Sequence, residues 1–331
     1  MNLIFFLGKF PLLSIAEIFS VLKSKNIKYS VKMADENYLY LNLKENIYPD
    51  ILLKILGGTI KIFQVEEIAK REEIKRIKNK NKVNLNDQEY ALGSIVASQD
   101  IKEYAHKEMD KPYAAPKTGM MPSKLAKILL NLSIGKKTNA IYDPFCGTGA
   151  ILQEAMHQGY KVYGSDISKE AVDGTIKNLE WTKKEIGEKA PEFEIFIHNG
   201  KILPDRLKLS KDNIAIATEP YLGLPWKDRI PKNVRNMKEI MKVGDIIDSS
   251  IKSMSKILKK GERLVIIVPN FKVRHKIVNL ESKTSEYPNL VRISLINNLM
   301  FGDKHIDEMK SFLYYREGTV VTREIFIFEK I

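Results

Sequence analysis

The run Asp143-Pro144-Phe145-Cys146-Gly147-Thr148-Gly149-Ala150 constrains this chain more than any other stretch. It follows the apolar segment 139–143 and opens a segment of helical periodicity, 149–158. Two glycines one residue apart let a backbone turn tightly and approach a ligand closely. The helix behind them presents unpaired N–H groups in its first turn. A strand, a glycine turn and a helix open a βαβ unit, and the alternation continues. Strands are expected at 139–143, 161–166, 193–198, 213–218 and 262–268, and helices at 149–158, 168–181 and 244–259. Two late strands fit 290–297 and 321–329 and read as a hairpin-type insertion at the sheet edge. Such alternation folds as a mostly parallel sheet covered on both faces, a doubly wound, Rossmann-like α/β domain.

The turn also selects its ligand. A dinucleotide site would use G-x-G-x-x-G to seat a pyrophosphate, and that spacing is absent here. An acid at the strand end followed by a glycine turn suits a ligand with an ammonium and a carboxylate, as in the methionine half of S-adenosylmethionine. Asp143, Pro144, Phe145, Cys146, Gly147, Thr148 and Gly149 are the candidate cofactor residues of this turn. The second strand ends at Gly164-Ser165-Asp166, where an acid is placed to bond both ribose hydroxyls. Asp166 equally suits a helix N-cap, and Ile167 beside it joins the candidate set. The third strand ends at His198-Asn199-Gly200. Asn199 has a carbonyl oxygen for the adenine amino group, and Asn199-Gly200 is equally a plain turn.

Ahead of this domain the pattern differs. Strands at 2–7, 27–33, 38–43 and 59–65 alternate with a helix over 14–24, capped by Ser14, and one over 48–55 ending at Gly57-Gly58. The order β-α-β-β-α-β is that of a ferredoxin-like α+β unit. The charged run 68–84 reads as a helix with solvated faces, or as an RNA contact. The expected organisation is an N-terminal domain at 1–95, a connecting segment with a leading helix at 96–135 and the α/β domain at 136–331.

The net charge of +13 points to a polyanionic partner, nucleic acid above all. The Lys-, Ile- and Asn-rich composition explains part of that charge without any partner. A single cysteine, Cys146, allows no internal disulfide and fits a cytoplasmic protein. Leu3 to Leu22 is interrupted by Lys9, Pro11 and Glu17, which argues against a signal peptide or a membrane span. The histidines at 106, 157, 198, 275 and 305 form no paired metal spacing, so no metal is expected.

The motif DPFCGTGAILQEA with GSDIS resembles the class I RNA methyltransferases associated with THUMP domains. It is most similar to the archaeal and eukaryotic tRNA guanosine-10 N2-methyltransferases. Gly119-Met120-Met121-Pro122, with Lys124-Leu125-Ala126 and Asn131-Leu132, resembles that family's lead into the catalytic domain. Arg323-Glu324-Ile325-Phe326-Ile327-Phe328 resembles its last strand. The resemblance implies S-adenosylmethionine as cofactor, RNA (tRNA first) as partner and methylation of a guanine N2 amine. The stretch before residue 96 is short for a complete THUMP module, which is expected to be truncated or missing. Nothing in the sequence argues against a small activating protein subunit.

Family members carry [DN]-P-P-[YF] after the fourth strand, where this chain has Thr218-Glu219-Pro220-Tyr221. An exocyclic base amine is a poor nucleophile, so the site must hold its hydrogens and aim its nitrogen at the methyl donor. The resemblance makes Tyr221 the stacking platform for a flipped base and Pro220 the residue that stiffens the loop. Thr218 falls in the slot of the usual acid, with Glu219 as the alternative source of a carboxylate. Trp226 either lines the base pocket or packs beneath it. Two other readings remain: a DNA adenine-N6 or cytosine-N4 methyltransferase, and a catalytically degenerate protein that binds cofactor and RNA.

Overall fold

The computed structural model describes residues 1–74, 80–114, 120–202, 211–224, 226, 230, 232–274, 276–280, 287 and 289–331. Gly119, Pro225, His275 and residues 75–79 of the charged run lie outside the described residues. The chain forms two compact units, one of residues 1–103 and 295–309, the other of residues 104–294 and 310–331.

The first unit is built on a six-stranded antiparallel sheet. Its elements are β1 (Asn2–Leu7), α1 (Pro11–Ser24), β2 (Tyr29–Ala34), β3 (Tyr38–Leu43), α2 (Pro49–Ile55), β4 (Thr59–Lys70), β5 (Asn81–Asn84) and β6 (Glu89–Ser98). The strand order is β2-β3-β1-β4-β6-β5, so β6 and β5 extend the first four strands. Helix α1 starts at Pro11, a residue suited to the first helical turn because its missing N–H would be unpaired there anyway. Ser14 is therefore not the cap: it lies inside the helix, and its hydroxyl donates to the Phe10 carbonyl at 3.0 Å. The charged run departs from expectation as well. Residues 68–70 finish β4 and 81–84 form β5. Both pair with β6, and the ladder to that strand overrides the helical propensity of the lysines and glutamates.

Glu17 on α1 is fully buried, and its two oxygens accept the Gly57 and Gly58 amides at 2.7 and 2.8 Å. A buried carboxylate holding two backbone donors fixes the turn between α2 and β4.

The second unit follows with α3 (Ile101–Met109), within which the boundary between units falls, and α4 (Ser123–Ser133). Then come β7 (Ala140–Asp143), α5 (Ala150–His157), β8 (Lys161–Asp166), α6 (Lys169–Ile186), β9 (Phe193–Ile197), β10 (Ile214–Thr218) and α7 (Val234–Ile257). The chain closes with β11 (Arg263–Val273), β12 (Lys276–Asn279), β13 (Leu290–Arg292), β14 (Asn297–Phe301), β15 (Lys304–Glu308), β16 (Ser311–Tyr314) and β17 (Val321–Lys330). The principal sheet runs β13-β17-β11-β10-β7-β8-β9. Strands β9, β8, β7, β10 and β11 are mutually parallel, and β17 runs antiparallel to β11.

The central strands β7 and β10 are buried at every position, as expected where helices cover both faces. Helix α4 touches α5, β10 and β11, while α5 touches α6. Helix α7 contributes Ile240, Val243, Ile247, Ile251 and Met254 to a core shared with Ile216, Leu264 and Phe326. This stripe begins before Gly244, and the helix itself starts at the Asn233 cap, whose side chain accepts the Asn236 amide. Gly244, expected at the start of the helix, thus lies within it.

The late strands also differ from expectation. β17 lies inside the sheet between β11 and β13, not at its edge. Residues 297–308 form a hairpin, β14 with β15, that belongs to the first unit, where the Gly302 amide donates to the Ala34 carbonyl at 2.8 Å. Among the described residues, no helix is long and apolar enough to cross a membrane.

Removing the Glu17 carboxylate orphans two buried amides. Glu17→Ala is expected to destabilise the first unit by about 3 kcal/mol, and Glu17→Gln by less, because an amide oxygen still accepts. Urea denaturation measures both, and wild-type midpoints would contradict the role given to Glu17.

Candidate functional site

Strand order reverses between β7 and β10: the successor of β7 lies on one side, that of β10 on the other. Doubly wound sheets bind ligands beyond the strand ends at such a switch point. Here the two strands end in polar residues, Asp143 and Thr218, both buried. The Thr218 hydroxyl donates to Asp143 Oδ1 at 2.6 Å, and the Phe145 amide donates to the same oxygen at 3.1 Å. Burial pushes the Asp143 carboxyl up to about 7, against those two bonds, and the negative charges of Asp166 and Glu219 add to the rise. No cationic side chain pairs with Asp143 among the described residues.

The glycine turn follows at once. Gly147 and Gly149 take φ of +55° and +81°, a left-handed conformation that other residues adopt at a cost. The turn is held from behind by α6. Thr175 Oγ1 donates to the Gly147 carbonyl at 2.8 Å, and Asn178 Nδ2 donates to the Thr148 carbonyl at 2.8 Å. Asn178 also exchanges bonds with the backbone of Tyr113, at 2.9 and 3.0 Å. The Tyr113 ring occupies the space over Gly174, where an added Cβ would stand 2.2 Å from it. Thr175, Asn178, Gly174 and Tyr113 were missed in the sequence. The available signal was polar residues at 175, 178 and 182, spaced along a helix face that ought to be apolar.

Asp166 ends β8, and its oxygens accept the Gly147 and Ser168 amides at 3.1 and 2.9 Å. The helix cap is Ser168, whose hydroxyl accepts the Ala171 amide. Asp166 therefore ties the two turns together and does not cap α6. Ile167 beside it is 71% exposed and Ile197, at the end of β9, 56%, so two large apolar side chains stand in the open at neighbouring strand ends. Asn199 Oδ1 accepts the Lys201 amide at 3.1 Å, an Asx turn. Gly200 lies against the Phe145 ring, 2.7 Å from where its Cβ would be. Pro144 and Thr148 are buried, as is Cys146, whose thiol burial pushes well up, so it is no nucleophile.

After β10 the chain corrects one expectation. Thr218 is fully buried and its hydroxyl is given to Asp143, so it does not serve as the open acceptor of the loop. The carboxylate of the loop is the next residue, Glu219, whose charge is felt at Asp143 and whose Oε1 accepts Arg323 Nε at 2.5 Å, leaving Oε2 as an acceptor. Pro220 is buried. The Tyr221 ring is 40% exposed, and its hydroxyl donates to Glu239 at 2.9 Å. Burial, with Glu239, pushes that phenol up to about 12, so it stays protonated. Trp226 packs against the core beneath the loop, and its buried indole N–H has no hydrogen-bond partner among the described residues.

With this geometry in view, comparison with known proteins is decisive for the family. The model of UPF0020, described as RMKL-like, methyltransferase domain, matches residues 113–297. The chain belongs to this family. A second model, described as DNA methylase, matches residues 18–178. A tRNA (guanine(10)-N2)-dimethyltransferase of Methanocaldococcus jannaschii is 31% identical over 212 residues, covering 62% of this chain and 50% of the relative. The enzyme of the same name from Methanothermobacter thermautotrophicus is 36% identical over 131 residues, covering 40% of this chain and 35% of the relative. The matches thus span no more than half the length of these relatives. Among solved structures, TrmN from Thermus thermophilus superposes with a TM-score of 0.54 at 12% identity, over 100% of both chains, a likeness of fold.

The raised Asp143 carboxyl makes stability depend on pH. Its folded value of about 7 exceeds the ordinary 3.8, so between these limits the folded protein holds a proton that the unfolded chain has lost. The stabilisation is complete below the lower value and is lost as pH rises through about 7. Asp143→Asn removes this dependence. The variant's melting temperature is expected to gain on wild type as pH rises from 5 to 8.5, and a constant difference would contradict the assignment.

Proposed function

We propose that this chain is an S-adenosylmethionine-dependent methyltransferase that modifies the N2 amine of a guanine in tRNA. The observation that carries the reading is the juxtaposition of two loops at the switch point. One is the glycine turn behind Asp143; the other is Glu219-Pro220-Tyr221, with a carboxylate that keeps one oxygen unused and an exposed ring. The names of the relatives supply the substrate.

The residues present suit the cofactor. Asp143 lacks a cationic partner among the described residues, which matches a ligand that brings its own ammonium. The first turn of α5, which opens directly after Gly149, would offer its N–H groups to a carboxylate, and Asp166 would take the ribose. Ile167 and Ile197, both exposed, supply apolar walls for adenine, with Asn199 and Gly200 at its edge. When bound, S-adenosylmethionine supplies an activated methyl group on a sulfonium.

The chain's own residues then do the positioning. Tyr221 stacks on the flipped base, its ring held at the far end by Glu239. Pro220 fixes the direction of the loop. Glu219 accepts hydrogens of the exocyclic amine through its side chain and its backbone carbonyl. With the methyl donor bound, the amine nitrogen would be aimed at the methyl group, and Glu219 or water would take up the proton that nitrogen loses. Asp143 and Thr218 stay behind the reaction as the floor of the cofactor site. The net charge of +13 supports an RNA partner, and the reaction belongs in the cytoplasm.

The test is methyl transfer from labelled S-adenosylmethionine to bulk unmodified tRNA, followed by nucleoside analysis. Label is expected in N2-methylated guanosine. Glu219→Gln and Tyr221→Ala are each expected to lower the rate by roughly 100-fold. Label in duplex DNA instead would favour the second reading, a DNA methyltransferase, which the match to residues 18–178 motivates. Cofactor binding with no transfer to any nucleic acid would make the protein a degenerate member of its family.

A further inference from the structure

The pair Arg323–Glu219 joins β17 to the loop after β10, across 104 residues of chain. Its side chains are only 22% and 16% exposed. A pair so withdrawn from water gains little net stability, because desolvation offsets the attraction. Its placement has a clearer use. Glu219 is the carboxylate of the loop, with Oε1 taken by Arg323 and Oε2 left over. Tyr314, the cross-strand neighbour of Arg323, is a phenol that burial pushes up and that feels the charges of both Arg323 and Glu219. Three groups therefore converge at the loop that carries Tyr221. Only Nε of the guanidinium is engaged; the terminal nitrogens have no partner among the described residues, nor has Glu219 Oε2.

The result is a carboxylate and a planar donor fork held side by side in fixed order. One base edge matches that order. Guanine presents O6, an acceptor, then N1–H and the N2 amine, both donors. With the amine and N1–H on Glu219, O6 falls towards the neighbouring guanidinium. Adenine and cytosine put an acceptor ring nitrogen directly beside their amine, where the carboxylate would oppose it. We propose that Arg323 is the guanine-specificity residue of this site: it donates to O6 while it holds Glu219 for N1–H and the amine. The proposal rests on the guanine-methylating reading above.

The probe is a tRNA transcript that carries, at the accepting position, either guanosine or 2,6-diaminopurine riboside. The second keeps the N2 amine but replaces O6 with a donor and N1–H with an acceptor. Wild type is expected to prefer guanosine in kcat/KM by roughly 100-fold, the discrimination of a good bidentate contact. Arg323→Gln, whose amide both donates and accepts, is expected to bring the two bases within about 10-fold of each other. Calorimetric binding of S-adenosylhomocysteine checks that the variant is folded; should it fail, Arg323→Lys is used, with a smaller collapse of the preference expected. Equal loss on both bases, down to complete loss, would assign Arg323 to holding Glu219 alone and overturn the proposal. Wild-type label confined to another nucleoside would overturn the guanine reading beneath it. Guanosine label with an unchanged preference in the variant would overturn this inference alone.

Discussion

The second unit is organised around a single contact, the 2.6 Å bond from Thr218 to Asp143. It joins the ends of the two strands between which the sheet reverses its order. A carboxyl buried at that point is costly unless it is neutral, hydrogen-bonded or matched by a charge. Here the first two remedies act together, and the third is left to a ligand. The same bond sets the direction of both loops that leave the sheet. The glycine turn begins one residue beyond Asp143, and Glu219 one residue beyond Thr218. The distance between the two loops is thus governed by neighbouring parallel strands.

Behind the turn, the structure uses polar contacts where apolar packing would be usual. Thr175, Asn178 and Thr182 are all fully buried on α6, and each has a partner. Hydrogen bonds are directional, so they fix where the carbonyls of Gly147 and Thr148 point in a way that hydrocarbon contacts would not. Gly174 completes the arrangement by leaving room for the Tyr113 ring. The supports of the glycine turn are therefore a helix that lies beyond α5 and β8 in the chain and a segment before the first strand of the domain.

How much of this was legible in the sequence depends on the range of the interaction concerned. The glycine turn, the parallel strands and Asp166 follow local rules, and β7, β8 and β10 lie within a residue of where periodicity puts them. The charged run failed because its lysines and glutamates favour a helix in isolation, whereas the pairing of Val83 with Ala91 on β6 decides the outcome. Thr218 was misread for a similar reason. Motif spacing placed it in the acid's slot, but its hydroxyl is turned towards a residue 75 positions away. The partnership of Arg323 with Glu219 had no local signal, since it depends on where β17 enters the sheet.

The hairpin of β14 and β15 bears on how the protein is made. The first unit includes residues 295–309, which are synthesised after most of the second unit. Its sheet of β1 to β6 is synthesised early, yet the unit waits for a piece delivered after nearly the whole second unit. Folding during synthesis cannot proceed as one finished module after another. The early sheet must persist without the hairpin until those residues are made, so the first unit is completed only after most of the second has been synthesised.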